Sequence, residues 1–341
     1  MSPQVLAFAI ASAVAVFAVS AARSVATRHK QLDRAHDRIG GPPWRAVPRV
    51  GGAGVVVAVA LAAVVAGFAG ALDAGRMCAL LAPAVLVFGV GFVDDIRPVA
   101  AAGKLGAMLA AGALAWILGC RLESLPFVEV TLPTWASVLA TSVWFAALGA
   151  AFDFVDGLDG LAAGLGAIAA TVFGVVATAR GDLVTATVAW SVTGAVLGFW
   201  FHNRHPATIF LGDGGALLIG ALLAGISINV VERTSSTGDL LLIGGLAWPL
   251  LDLGSAVVRR AQRRALFRPD AEHLHHRLAA RHGHAPAVAR IHGISLCVAI
   301  VAVAPINMRF AAAAALLGTA IAVARTTAAA LHRVPASGNA A

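Results

Sequence analysis

Ala150-Ala151-Phe152-Asp153-Phe154-Val155-Asp156-Gly157-Leu158-Asp159-Gly160-Leu161-Ala162 sets three carboxylates between two long apolar runs, residues 135 to 153 and 160 to 178. Each run is close to the roughly 20 apolar residues a helix needs to cross a bilayer. Charge is confined to the seam between them, as where two membrane helices meet at a water face. If the helix continued through the seam, Asp153, Asp156 and Asp159 would stack on one face. Like charges so placed repel, and they call for a cation, a cationic ligand or protons. Gly157 and Gly160 would let a ligand or another backbone approach closely.

The same pattern recurs along the chain. Apolar windows bounded by charge, Pro or Gly lie at 4 to 22, 51 to 71, 77 to 93, 103 to 119, 135 to 153, 160 to 178, 183 to 202, 214 to 231, 239 to 257, 291 to 308 and 310 to 325. The expected fold class is all-α: a polytopic membrane protein of about eleven transmembrane helices, forming a single domain over residues 1 to 341. Composition agrees. Hydrophobic residues make up 59% and charged residues 12%, against roughly 45–50% and 25% in soluble domains, which excludes an ordinary soluble monomer and a disordered chain. The first window lacks a basic amino-terminal region and is expected to remain as an anchor. Cys78, Cys120 and Cys297 lie far apart, without metal or redox spacing, and read as packing residues.

The net charge of +8 is explained by topology. With the loop after the first window inside, twenty of the 25 Lys and Arg fall in cytoplasmic segments, which places the amino terminus outside and the carboxyl terminus inside. Nucleic acid binding needs no place in this reading. The same alternation gathers all eleven histidines on or near the cytoplasmic side, together with Asp94, Asp95, Asp153, Asp156, Asp159, Asp213 and Asp252. Ionisable groups at membrane depth are costly unless paired or solvated, so their convergence on one face reads as a functional site.

Three further clusters complete the pattern. Gly91-Phe92-Val93-Asp94-Asp95-Ile96 ends the third window, with Lys104 opening the fourth. His202-Asn203-Arg204-His205-Pro206-Ala207-Thr208-Ile209-Phe210-Leu211-Gly212-Asp213-Gly214-Gly215 is a short loop ending in a glycine-flanked carboxylate. That suits a hard cation holding substrate phosphates, although Asp213 alone also reads as an amino-terminal helix cap. Residues 258 to 290 form a cytoplasmic loop with Arg259, Arg260, Arg263, Arg264, His273, His275, His276 and Arg277. Zinc spacing is absent there, and arginines beside histidines suit a phosphate.

Taken with Pro48-Arg49-Val50-Gly51-Gly52 and His273-Leu274-His275-His276-Arg277, these clusters resemble the polyprenyl-phosphate N-acetylhexosamine-1-phosphate transferases, of the glycosyltransferase family 4 type. The His-Leu-His-His-Arg form is more similar to the undecaprenyl-phosphate GlcNAc-1-phosphate branch than to phospho-MurNAc-pentapeptide translocase, which usually shows three consecutive histidines. Where the family usually has Asn-Ala-x-Asn, this chain has Ala150-Ala151-Phe152-Asp153.

The resemblance implies a bacterial plasma-membrane enzyme that moves GlcNAc-1-phosphate from a UDP-N-acetylhexosamine to polyprenyl phosphate, releases UMP and works at the cytoplasmic face. It implies Mg²⁺, with Mn²⁺ as a substitute, on Asp213 and Asp153, the latter standing in for an asparagine. Asp94, Asp95, Asp156 and Asp159 would be catalytic. Arg49, Lys104, Asn203, His273, His275, His276 and Arg277 would bind substrate, and a homodimer is compatible with the resemblance. UDP-MurNAc-pentapeptide is the alternative donor. A cation-coupled transporter is the alternative class, disfavoured because the carboxylates lie at one face and no internal repeat is visible. An intramembrane aspartyl protease would need a tyrosine before one aspartate, and the chain has none.

Overall fold

The computed structural model describes residues 1–29, 33–34, 46–125, 130–232, 238–263 and 273–304. Its helices are α1 (Pro3–Arg28), α2 (Gly51–Ala69), α3 (Ala74–Ile96), α4 (Ala101–Ile117), α5 (Thr134–Val155), α6 (Leu161–Ala179), α7 (Leu183–Asn203), α8 (Gly212–Glu232), α9 (Gly238–Gln262), α10 (Leu274–His282) and α11 (His284–Val303). Eight of these, α1, α2, α3, α5, α6, α7, α8 and α11, are long and apolar enough to cross a membrane, and α4 is a shorter apolar helix. The chain is a polytopic helical membrane protein. Ten of the apolar windows coincide with α1 to α9 and α11, and the window at 310 to 325 lies outside the described residues.

Two departures from an all-helical chain are minor. β1 (Asp33–Arg34) pairs antiparallel with β2 (Ala46–Val47), and β3 (Ser124–Leu125) with β4 (Val130–Thr131). Each is a two-residue ladder in a connection. A larger departure concerns residues 258 to 290, expected as a loop: they contain the end of α9, all of α10 and the start of α11. The break between α10 and α11 is at Gly283, whose φ of +85° suits glycine. Cys120 is buried as expected for a packing residue, whereas Cys78 is exposed.

α8 is the central pillar. In its most apolar 18-residue window 94% of residues are buried, against 22% for α1, as expected of a helix apolar on every side. Glycines let its backbone touch its neighbours. A Cβ on Gly91 of α3 would sit 2.7 Å from Gly214 of α8, and one on Gly220 would sit 2.5 Å from the Leu148 carbonyl of α5. Close packing through small residues is the usual way membrane helices associate without a hydrophobic driving force between them. α8 therefore holds the end of α3 at its amino terminus and packs against α5 farther along its length.

Candidate active site

Helix ends converge on the ammonium of Lys104, in the first turn of α4. Its Nζ lies 2.7 Å from Asp213 Oδ2, 3.0 Å from Asp94 Oδ2 and 3.9 Å from Asp153 Oδ2. These carboxylates come from the start of α8 and the ends of α3 and α5. Local folding explains the first contact: the Val99 amide donates to Asp94 Oδ1 and closes the α3–α4 connection, which turns Lys104 back over Asp94. Arg49 arrives from the segment before α2. The Phe210 amide donates to the Pro48 carbonyl at 2.8 Å, and the Gly51 and Gly52 amides donate to the Phe210 and Leu211 carbonyls. This ladder sets Arg49 Nη2 3.0 Å from Asp213 Oδ1.

Asp95 faces the other way along α8. Its oxygens accept the amides of Asp213 at 2.9 Å and Gly214 at 3.0 Å, and its side chain is only 3% exposed. Those amides belong to the first turn of α8, whose donors have no partner within the helix. Gly212, with φ +77°, packs so that a Cβ would meet the Arg49 carbonyl at 2.5 Å and Asp95 Oδ2 at 2.6 Å. Asp95 thus orients Asp213.

The pocket has a cation deficit. Among the described residues, the cations ion-paired with Asp94, Asp95, Asp153 and Asp213 are Lys104 and Arg49. An excess of hard carboxylate oxygens on partly exposed side chains fits a divalent cation such as Mg²⁺.

The three aspartates of the seam do not share a continuous helix. α5 ends at Val155, Asp156 caps its carboxyl end, and α6 begins at Leu161 after a turn through Gly160 at φ +78°. The helix has ended before this turn, so Asp153 remains on α5 beside Lys104 while Asp159 swings away from it. Asp159 Oδ2 accepts from the Ala207 amide at 3.1 Å and lies 2.9 Å from His205 Nδ1. The Asp159 amide donates to His284 Nε2 at 2.8 Å. Asn203 is buried and joins turn to loop, accepting from the Gly160 amide and donating to the Ile209 carbonyl, both at 2.9 Å.

A wall of imidazoles faces this turn. Cβ on Gly157 would sit 2.6 Å from His275 Nε2 and 2.8 Å from His276 Cε1, so the glycine is what admits the rings. The organiser of the wall is Asp252 of α9, fully buried. One oxygen lies 3.1 Å from Nδ1 of both His273 and His275, and the other accepts the Leu274 amide at 2.7 Å. Burial pushes the His275 imidazole below the ordinary histidine value, against the opposing pull of Asp252. A neutral ring that donates Nδ1–H to Asp252 leaves Nε2 as an acceptor, and this atom is buried without a hydrogen-bond partner among the described residues. The His276 ring packs beside it at a tilt of 48°, with centroids 4.1 Å apart.

The structure therefore brings Arg49, Asp94, Lys104, Asp153 and Asp213 into one pocket and places His273, His275 and His276 against the neighbouring turn. Arg277 stands apart, lining a separate cavity with Trp248. Sequence reasoning gave Asp252, His205 and His284 no individual role. The signal for Asp252 was a lone carboxylate inside an apolar window, but its partners lie 21 and 23 residues away and only folding pairs them.

Residues 77–231, which carry Asp94 through Asp213, match the family described as Glycosyl transferase family 4. Over 252 residues the chain is 30% identical to the probable undecaprenyl-phosphate N-acetylglucosaminyl 1-phosphate transferase of Bacillus subtilis, covering 72% of this chain and 68% of that protein. It is 34% identical over 262 residues to the decaprenyl-phosphate N-acetylglucosaminephosphotransferase of Mycobacterium tuberculosis, covering 68% and 65%. The phospho-N-acetylmuramoyl-pentapeptide-transferase of Enterococcus hirae is 32% identical over 222 residues, 60% of this chain and 68% of the relative. With the carboxylate pocket inside the matched segment and relatives aligned along about two thirds of their length, the chain belongs to glycosyl transferase family 4.

Proposed function

We propose that this protein transfers N-acetylglucosamine-1-phosphate from UDP-N-acetylglucosamine to polyprenyl phosphate, releasing UMP, at the cytoplasmic face of a bacterial plasma membrane. In this reading the amino terminus is outside, the carboxyl terminus is inside and about eleven helices span the bilayer. The observation that carries it is the meeting of Asp94, Asp153 and Asp213 on Lys104. Two relatives named for N-acetylglucosamine phosphate transfer align with 72% and 68% of the chain, which favours that donor over a muramoyl-pentapeptide one.

An oxygen of the lipid phosphate attacks the sugar-linked phosphorus of the donor, and the phosphoanhydride bond to UMP breaks. Both reactants are anionic, and two unit charges 4 Å apart repel by about 4 kcal/mol at an effective dielectric of 20. Phosphoryl transfer is catalysed mostly by positioning and charge neutralisation. Lys104 and Arg49 would neutralise and hold the lipid phosphate. Asp213 and Asp153 would hold Mg²⁺, which when bound supplies charge neutralisation at the donor diphosphate. Asp94 keeps Lys104 in place, and Asp95 holds the turn that presents Asp213. A phosphate monoester has its second pKa near about 6, so the attacking group is largely dianionic at neutral pH and needs placement more than deprotonation. His275 Nε2 and His276 would meet the donor across the turn carrying Asp156 and Asp159.

The test is UMP release by purified protein in lipid nanodiscs. Release from UDP-N-acetylglucosamine that requires both polyprenyl phosphate and Mg²⁺ is the expected result. Release only from UDP-MurNAc-pentapeptide would overturn the donor. Gradient-driven uptake without UMP would overturn the reaction.

A further inference from the structure

α10 has two working flanks. At 100° per residue, His276 lies on one flank, while Leu274, Arg277, Leu278 and Arg281 form a stripe on the other. That stripe faces Trp248 of α9 across a cavity of about 430 Å³ lined by these five residues. Neither guanidinium has an ion pair or hydrogen bond among the described residues, and Trp248 Nε1–H is buried without an acceptor. Among the described residues, the cleft thus presents two guanidiniums together with a buried indole N–H, no acidic side chain in its lining, and an apolar floor of two leucines and an indole.

We propose that this cleft binds the headgroup of an anionic glycerophospholipid of the surrounding bilayer, at a place distinct from the pocket around Lys104. The chemistry selects the ligand. Arginine forks match phosphate oxygens, the indole N–H needs one further acceptor, and the leucines suit a glyceride stem. Free phosphate would leave the apolar floor uncovered. Polyprenyl phosphate bound here would hold its phosphate on the far flank of α10 from His276 and Gly157, away from the reacting groups. A phospholipid bridging α9 and α10 would brace the helix that carries His275 against Asp252.

Native mass spectrometry of the full chain, released from nanodiscs of phosphatidylcholine with or without phosphatidylglycerol, tests this without any donor sugar, so its outcome is independent of transferase activity. One phosphatidylglycerol should be retained preferentially. Retention should be about tenfold weaker in Arg281→Gln, as expected for losing a hydrogen bond to a charged group, and weaker also in Trp248→Phe, which removes only the N–H donor. Both variants should unfold at the wild-type temperature in phosphatidylcholine alone. Unchanged phosphatidylglycerol retention in both variants would overturn the proposal. So would its one-for-one displacement by polyprenyl phosphate, which would give the cleft to the acceptor, or by inorganic phosphate at equal concentration.

Discussion

Asp95 holds the helix turn that presents Asp213: its two carboxylate oxygens accept the amides of Asp213 at 2.9 Å and Gly214 at 3.0 Å. A carboxylate on the amino end of a helix also meets the positive end of its dipole. Asp95→Ala should therefore destabilise the protein by about 1–3 kcal/mol, the cost of leaving buried donors unpaired, and should also lower turnover. Asp95→Asn retains one acceptor oxygen and should lose less of both. Thermal unfolding and UMP release on the same samples check this. A wild-type unfolding temperature with abolished turnover in Asp95→Asn would instead make Asp95 a reacting group.

Among the described residues, Lys104 is the only cationic side chain within 4 Å of Asp94, Asp153 and Asp213 together. Lys104→Met should reduce UMP release by about 100-fold or more, the usual effect of removing one group that stabilises transition-state charge. Lys104→Arg should recover little, because a planar fork cannot replace a compact ammonium among three carboxylates. Rescue to near wild-type rate by arginine would show that the pocket needs only charge.

The Asp252–His275 pair should behave as one unit. Asp252→Asn and His275→Ala should each weaken use of the UDP-sugar by about tenfold, the scale of one lost charge-assisted hydrogen bond. The double variant should be no worse than the poorer single one, since coupled groups are not additive. Donor titration of the three variants measures this, and independent, additive losses would separate the two residues.

At the opposite end of the bundle from the pocket, Arg76 binds Asp182 through 2.9 Å contacts to both oxygens, and the Thr185 hydroxyl adds another at 2.9 Å. Burial alone would raise the Asp182 carboxyl, but Thr185 and Arg76 outweigh it and hold it below the ordinary value. The sign follows from linkage. A carboxylate lowered in the folded state adds stability above its unfolded pKa of about 3.9, and that stability is lost as pH falls through the folded value. The unfolding temperature should drop on acidification below about pH 4. Asp182→Asn should start lower at neutral pH and fall less steeply. Parallel wild-type and variant curves would remove Asp182 from the acid response.

Much of the architecture was legible in the residues themselves. Apolar windows of bilayer length admit only hydrogen-bonded helices, because an unpaired amide in lipid is too costly, and ten windows became helices. The clustering of aspartates and histidines at helix ends was legible for the same reason, since charge is excluded from the apolar stretches. Periodicity left open whether a helix runs through the seam. A spacing of three gives one acidic face only in a continuous helix, whereas α5 ends at Val155 and the turn before Leu161, closed by left-handed Gly160, parts Asp153 from Asp159. The division of labour also depended on tertiary structure. Asp94 and Asp95 are neighbours, but successive residues on a helix point about 100° apart, so one meets Lys104 and the other caps α8. Asp252 became the anchor of the histidine wall because folding lays α10 against α9. Helix formation rests on interactions within a few residues of the chain, whereas pairing groups more than 100 positions apart, as Lys104 and Asp213 are, depends on how helices pack, through the glycines that let α8 touch α3 and α5.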